Sequence, residues 1–329
     1  MAADETRVRL EALLGEGRPG EAARLLIAEA KAGRPEALAQ LALWRIAGDV
    51  VRRDLAEART LLGAAAEQGD DAAALLHAGF LASGTGGEAD WPAALAALAR
   101  LAPRVQRAAV QLRLIEAMAL DSDGFPAKPV EPLSLATAPQ ASAVRAFLTR
   151  TECAYLIAAA EPRLQPSVVV DPATGRMVPH PVRTSDAAMF GVFAEDAVVA
   201  AINRRIAALS GTAPAQGEPL QVLRYRAGGE YKPHMDALPA EPNQRILTVL
   251  VYLSDDYGGG ETRFVRTGLT FRGKAGDALM FRNARPDGRA DPLSLHAGLP
   301  VERGVKYLAS RWIRAGRFTY PPPRPLVDL

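Results

Sequence analysis

Apolar and polar positions along the first 118 residues follow a helical period, and the pattern repeats. The segment EAARLLIAEAKAGR (21–34) lies over EARTLLGAAAEQGD (57–70) at an offset of 36, with Glu, Ala, Leu-Leu, Ala, Ala and Gly in register. The same offset puts PEALAQLALWRIAG (35–48) over DAAALLHAGFLASG (71–84), and Asp54 over Asp90. Two amphipathic helices per unit at this period is the signature of an α-helical repeat solenoid, in which recurrent small residues let paired helices approach closely. Such arrays bind partners or dock domains more often than they carry chemistry.

This first part, residues 1–118, resembles the tetratricopeptide and Sel-like repeat class. The pattern then breaks. Residues 119–139 carry Pro126, Pro129, Pro132 and Pro139, a spacing that stops helices and reads as a semi-rigid linker. One helical piece follows at 142–164, with Thr151 placed as its N-cap ahead of Glu152. A proline-containing loop and a second helix near 194–210 come next. From 219 the period falls to two in short runs, LQVLRYR, ILTVLVYL, ETRFV, LTFRG, DALMFR and VKYLASRWIR, separated by glycine-containing turns. That pattern predicts an antiparallel sandwich or barrel. The segment YPPPRPLVDL cannot continue a sheet and is expected to be an extended, disordered tail. The reading is an α+β two-domain chain. Helical repeats occupy 1–118, a linker 119–139, a β-rich domain with flanking helices 140–320 and a Pro-rich tail 321–329.

Composition narrows the function classes. Lys plus Arg is 39 and Asp plus Glu is 37, a net charge of +2, so no long-range field recommends a nucleic acid or an acidic membrane as partner. Apolar residues are 49% and charged residues 23%, which excludes wholesale disorder. No apolar run approaches the ~18 residues of a membrane helix, and the N-terminus lacks a signal-peptide pattern, so the expected address is cytoplasmic. The single cysteine, Cys153, excludes an internal disulfide and reads as core packing.

The four histidines are His77, His180, His234 and His296. His77 sits within a repeat as a packed helix residue, and His180 lies between prolines with no function required of it. In YKPHMDAL, His234 and Asp236 are two residues apart, so a strand presents both on one face to one metal ion. His296 lies sixty positions after Asp236, on a strand that a closed barrel can bring alongside. Two His and one carboxylate on one side of an iron ion form the facial triad of non-haem Fe(II) oxygenases. Lys306, ten residues further on, can pair with the distal carboxylate of a dicarboxylate bound to that metal. A zinc or manganese cupin remains the alternative from geometry alone.

Residues 141–315 resemble the catalytic domain of prolyl 4-hydroxylases, the Fe(II)/2-oxoglutarate dioxygenases, through FLTRTECAYLI, VRTSDAAMF, EPLQVLRYRAGGEYKPHMD, RILTVLVYLSDDYGGGET, GDALMFRN and DPLSLHAGLPVERGVKYLASRWI. The resemblance implies a double-stranded β-helix, a jelly roll of cupin type. It implies Fe(II) on His234, Asp236 and His296, and 2-oxoglutarate on Lys306 with Tyr225 and Thr262. No catalytic residue is implied beyond the metal centre. It further implies O2 as reactant, ascorbate as a possible reductant, and a substrate groove at Arg183, Ser185, Glu218, Tyr231, Arg245 and Arg314. The stretch around 168–184 is expected to close over substrate. Tyr307 stands where the family usually has Trp, and RNARPDGRADP is richer in arginine than the family leads one to expect. The activity so implied is hydroxylation of a prolyl residue in a peptide or protein, possibly held by the helical repeats, with succinate and CO2 released. The same chemistry on a free amino acid or another side chain is the alternative. A non-catalytic repeat scaffold is the alternative of another class.

Overall fold

The computed structural model describes residues 2–170, 177–179, 182–321 and 323–329. The chain divides into two compact units, Met1–Gly124 with Val192–Ala201 and Thr319–Leu329, and Phe125–Gly191 with Ile202–Phe318. Among the described residues no helix is long and apolar enough to cross a membrane.

The first unit is helical. It contains α1 (Ala2–Gly15), α2 (Pro19–Lys31), α3 (Pro35–Ala47), α4 (Leu55–Glu67), α5 (Asp71–Ser83), α6 (Trp91–Leu101) and α7 (Gln106–Ala117), each packed on the next. Helices α2, α4 and α6 begin at 19, 55 and 91, which are 36 residues apart, and α3 and α5 begin at 35 and 71. The punctuation recurs at the same interval. Asp54 and Asp90 cap α4 and α6 by accepting the amide hydrogens of Glu57 and Ala93 at 2.9 Å. Gly48 and Gly84 end α3 and α5 in the left-handed region, at φ of 71° and 76°. Ala22, Ala23, Ala58 and Ala94 are fully buried, so the close helix pairing rests on small side chains as the repeat implied.

Two segments expected elsewhere join this unit. Residues 192–201 group with the helices rather than with the β-rich domain. The 319–329 tail is extended as expected but not disordered. Its Leu326 and Val327 amides donate to the Asp49 and Val50 carbonyls at 2.8 and 3.0 Å, and Val327 pairs in parallel with Val51.

The second unit contains β1 (Leu133–Thr137), β2 (Gln140–Val144), α8 (Arg150–Ala160), β3 (Gln165–Pro166), β4 (Val168–Val170), β5 (Met177–Pro179), β6 (Asp186–Phe190) and the rest of α9 (Ala197–Ser210). There follow β7 (Leu220–Tyr225), β8 (Tyr231–His234), β9 (Arg245–Tyr252), β10 (Tyr257–Gly259), β11 (Thr262–Phe264), β12 (Thr270–Phe271), β13 (Ala278–Arg282), β14 (His296–Gly298), β15 (Val301–Gly304) and β16 (Lys306–Arg314). A large sheet runs β1-β2-β13-β9-β16-β7-β6-β3, and a smaller one runs β12-β11-β14-β8, with all their pairings antiparallel. One apolar cluster joins Leu223, Tyr225, Leu250, Tyr252 and Leu308 of the large sheet to Phe264 and Phe271 of the small one. This is the jelly roll that the resemblance implied, with its core between the sheets.

Two local expectations are corrected. The stretch read as a semi-rigid linker ends in a strand, because Leu133–Thr137 pairs along β2 as the edge of the large sheet. The helix expected at 142–164 begins only at Arg150, because residues 141–144 alternate buried and half-buried on β2. Its N-cap is Thr149 rather than Thr151. Thr149 Oγ1 accepts the Glu152 amide hydrogen at 3.1 Å while Glu152 Oε2 accepts that of Thr149 at 2.7 Å, a reciprocal capping box.

Candidate active site

The chemistry gathers between the two sheets. On the small sheet His234 pairs with His296, and Tyr231 pairs with Gly298. Two residues of β8, Lys232 and Pro233, therefore oppose the single Ala297 of β14, a bulge that turns Tyr231 and His234 to the same side. Their rings stack with centroids 3.4 Å apart. His234 Nδ1 lies 2.9 Å from the Lys232 carbonyl oxygen, and His296 Nδ1 lies 2.8 Å from that of Ser294. With Nδ1 donating to those carbonyls, each neutral ring presents the Nε2 lone pair inward. His234 Nε2 is 3.7 Å from Asp236 Oδ1, and His296 Nε2 is 3.7 Å from Asp236 Oδ2. All three ligand atoms fall within 4.8 Å of one another.

Electrostatics tune this group toward a cation. Burial pushes His234 down to about 4, His296 adds to the effect, and Asp236 opposes it. Burial opposes ionisation of Asp236, but His296, His234 and hydrogen bonds from Thr248 and Trp312 outweigh it and hold the carboxyl below its ordinary value. At neutral pH the site offers two imidazole lone pairs and a carboxylate. That donor set fits a divalent first-row metal such as Fe(II). Thr248 and Asn283, which the sequence reading did not single out, lie behind it. Thr248 Oγ1 donates to Asp236 Oδ2 at 2.6 Å, and Asn283 Nδ2 donates to Thr248 Oγ1 at 2.8 Å, with both residues fully buried. Thr248 is the one polar residue in the apolar run ILTVLVYL, the only signal the sequence held for it.

The large sheet supplies the opposite end. Lys306 on β16 pairs across the ladder with Tyr225 on β7. Its ammonium is 2% exposed, donates to the Gly260 carbonyl at 2.7 Å, and lies 5.5 and 5.3 Å from the ring centres of Tyr225 and Tyr252. Among the described residues no carboxylate forms an ion pair with it. Burial pushes its pKa down to about 8, with Glu261 acting against and Arg272 adding to the fall. A buried cation that lacks a charged partner is a receptor for an anion. Burial raises the Tyr225 phenol, so it stays a hydrogen-bond donor. Thr262 Oγ1 is within 2.8 Å of Tyr252 Oη, a second neighbour the sequence reading left out. One cavity is lined by His234, Asp236 and His296 together with Tyr225, Thr262 and Lys306.

The six residues expected along a substrate groove separate. Arg183 and Tyr231 line the cavity, with the guanidinium 5.5 Å from the Tyr231 ring centre. Ser185, Glu218, Arg245 and Arg314 do not line it. Ser185 Oγ faces Ser167 Oγ at 3.1 Å. Glu218 accepts from Arg245 at 2.6 and 2.8 Å and from Arg314 at 2.6 Å, and Arg245 stacks 3.8 Å from the Trp312 ring centre. Glu218 is buried and the two arginines are half-buried, so the carboxylate is held by pairing with both guanidiniums, one of which stacks on Trp312. A groove of about 310 Å3, lined by Glu230–Pro233, Arg263, Val265 and Ala297–Leu299, shares Tyr231 and Gly298 with the cavity.

The base of the 168–184 loop is stitched to β8, with the Lys232 amide donating to the Val182 carbonyl at 2.8 Å and Arg183 bridged to Tyr231. Strands β4 and β5 pair within it, while His180 and the turn between the strands lie outside the described residues. Cys153 is buried core, its thiol pushed up to about 12 by burial. His77 packs in the helical unit, where a methyl group on Gly63 would lie 3.1 Å from its ring.

Comparison with known proteins agrees with this geometry. A family model of the 2OG-Fe(II) oxygenase superfamily matches residues 220–314, from β7 through β16, the span that carries every metal-site and lysine-end residue above. The chain is 38% identical over 207 residues to a probable prolyl 4-hydroxylase 3 of Arabidopsis thaliana, covering 55% of this chain and 71% of that protein. It is 39% identical over 207 residues to prolyl 4-hydroxylase 5 of the same plant, covering 55% and 70%. Among solved structures it is similar to a viral collagen prolyl hydroxylase from Paramecium Bursaria Chlorella virus-1, in complex with 2OG. There the identity is 30% and the TM-score 0.44, with 54% of this chain and 96% of that one covered. With a triad of metal-ligand type and a buried anion receptor in one cavity, and relatives matched over most of their length, the chain belongs to the prolyl 4-hydroxylase family of Fe(II)- and 2-oxoglutarate-dependent dioxygenases.

Proposed function

We propose that this chain hydroxylates prolyl residues of a peptide or protein, with His234, Asp236 and His296 holding Fe(II) and Lys306, Tyr225 and Thr262 holding the far carboxylate of 2-oxoglutarate. The observation that carries the proposal is Lys306, a buried ammonium without a carboxylate partner among the described residues, in the cavity that also contains the triad. When bound, iron and cosubstrate supply the oxidant for a C–H bond and release succinate and CO2. The chain's own residues orient and exclude. Nδ1 bonds aim both imidazoles, Thr248 and Asn283 fix the carboxylate, and Leu223, Leu250 and Leu308 keep the cavity apolar between its ends.

Arg183 and Tyr231 frame the mouth, and the groove along Glu230–Pro233 supports an extended peptide as substrate better than a free amino acid, which would leave it unused. Glu218, Arg245 and Arg314 act on substrate through Trp312, whose ring lines the cavity. The helical unit serves as a tetratricopeptide or Sel-like array that holds the client. Its 36-residue helix spacing and a cavity of about 440 Å3 with Leu43 and Phe193 exposed on its lining support that role.

The test is anaerobic addition of Fe(II) and 2-oxoglutarate, followed by oxygen and a proline-rich peptide. A visible charge-transfer band, then succinate formation raised by the peptide and not by free proline, is the expected result. A band with turnover raised only by small amino acids would replace the peptide reading. Absence of the band would leave the chain a scaffold.

A further inference from the structure

The tail TYPPPRPLVDL (319–329) is a proline-rich peptide carried by a chain of the prolyl 4-hydroxylase family. It docks on the helical unit through few contacts. Arg53 donates to the Pro321 carbonyl at 3.1 Å, the Leu326 and Val327 amides pair with Asp49 and Val50, and Arg45 donates to the Leu329 carbonyl at 2.5 Å. These are contacts of peptide groups, whereas the Leu326 side chain is left 66% exposed. Of the side chains, Val327 packs against the apolar cluster of the helices and Pro323 makes a tight contact. A methyl group added at Gly48, the left-handed residue ending α3, would lie 2.4 Å from Pro323 Cγ and 2.8 Å from Arg53 Cβ. Pro323 Cγ therefore sits in a seat that Gly48 and Arg53 already fill.

Cγ is the atom that 4-hydroxylation oxidises. We propose that Pro323 is a substrate of this chain's own hydroxylation chemistry, and that its oxidation weakens docking of the tail. The proposal rests on the reading of the chain as a prolyl 4-hydroxylase. In the step, the Cγ–H bond is replaced by Cγ–O–H with one oxygen atom of O2. The other oxygen atom enters succinate as 2-oxoglutarate loses CO2. Two electrons from the C–H bond and two from the oxo acid complete the reduction of O2. The docked Cγ abuts Gly48 on a half-buried residue, so the undocked tail is what reacts, and the four peptide-group hydrogen bonds named above, with the Val327 contact, are of the kind that opens locally. Once oxidised, the ring carries an extra oxygen at the atom that abuts Gly48, where there is no room even for a methyl group on the glycine, which disfavours return.

Two experiments decide it. Full-length protein is incubated with Fe(II), 2-oxoglutarate and air beside a poly(L-proline) reporter, and the tail peptide is then mapped by mass spectrometry. One added oxygen on Pro323 is expected, at a rate independent of dilution if the tail reacts in its own molecule and falling with dilution if it reacts in a second copy. Reporter turnover with an unmodified tail, or with oxidation confined to Pro321, Pro322 or Pro325, overturns the proposal and leaves the enzymatic reading standing. Failure of both substrates removes that reading as well. Independently of activity, a full-length chain ligated with 4-hydroxyproline at 323 is expected to exchange the Leu326 and Val327 amides about tenfold faster than the unmodified chain. Unchanged exchange overturns the coupling to docking. Pro323→Ala is expected to abolish tail oxidation while the reporter is turned over normally.

Discussion

Lys306 carries its ammonium into a buried place with no carboxylate ion-paired to it among the described residues, and the energetic consequence has a sign. Its pKa falls from 10.5 to about 8 on folding. Between those values the unfolded chain holds a proton that the folded chain has shed, so stability without ligand rises with pH through that window. A dicarboxylate needs the protonated form. Its affinity is therefore expected to fall about tenfold per pH unit above 8, by anaerobic calorimetry. Lys306→Met is expected to lower 2-oxoglutarate affinity about 100-fold or more while metal affinity stays within a few fold. At the metal end the window lies lower. His234 titrates near 4 in the fold against 6.5 when unfolded, so stability is lost as pH falls from 6.5 toward 4, while the folded ring stays neutral and open to a metal until the pH approaches 4. Removing the hydroxyl behind the site by Thr248→Val is expected to weaken metal binding about 10- to 100-fold by metal titration, with the fold retained. His234, Asp236, His296 and Lys306 were legible in the sequence through the run of ordered motifs that resembles the family, since a His-x-Asp triplet alone arises too readily by chance. Thr248 and Asn283 were not, since a single polar residue in an apolar strand gives no hint of which carboxylate it meets.

Among the elements, the capping box of α8 and the Glu218 cluster are the points where one side chain sets a whole segment. Glu152 closes the box with Thr149 and also takes Arg205 at 2.8 Å while buried. Thr149→Ala is expected to cost about 1 kcal/mol in denaturant unfolding, the usual worth of a cap. Glu218→Ala is expected to cost more, about 2–3 kcal/mol, because two half-buried guanidiniums would lose the carboxylate they share. Long strands were visible from their alternation, and β7, β9, β13 and β16 fall where the sequence put them. The short strands β10 and β15 were not, for three or four residues with glycine carry no period, and β14 was expected only from the ligand it carries. The shifted start of α8 has the same cause, since ASAV reads equally as strand or helix until β13 pairs with it.

On the scale of the molecule, the repeat was readable because helices that pack on their sequence neighbours leave a local signal. The tail was not, because Val327 meets Val51 from the far end of the chain. The arrangement of the two sheets has one more implication. Both histidines of the triad and Thr262 stand on the small sheet, while Lys306 and Tyr225 stand on the large one. A molecule that chelates the metal at one end and meets the ammonium at the other is a clasp across the jelly roll. Metal with 2-oxoglutarate is therefore expected to raise the melting temperature beyond the sum of the two added singly, by differential scanning calorimetry. Decarboxylation would cut that clasp, since the product diacid is one carbon shorter and has lost the oxo group, so each turnover would fasten the two sheets together and let them go.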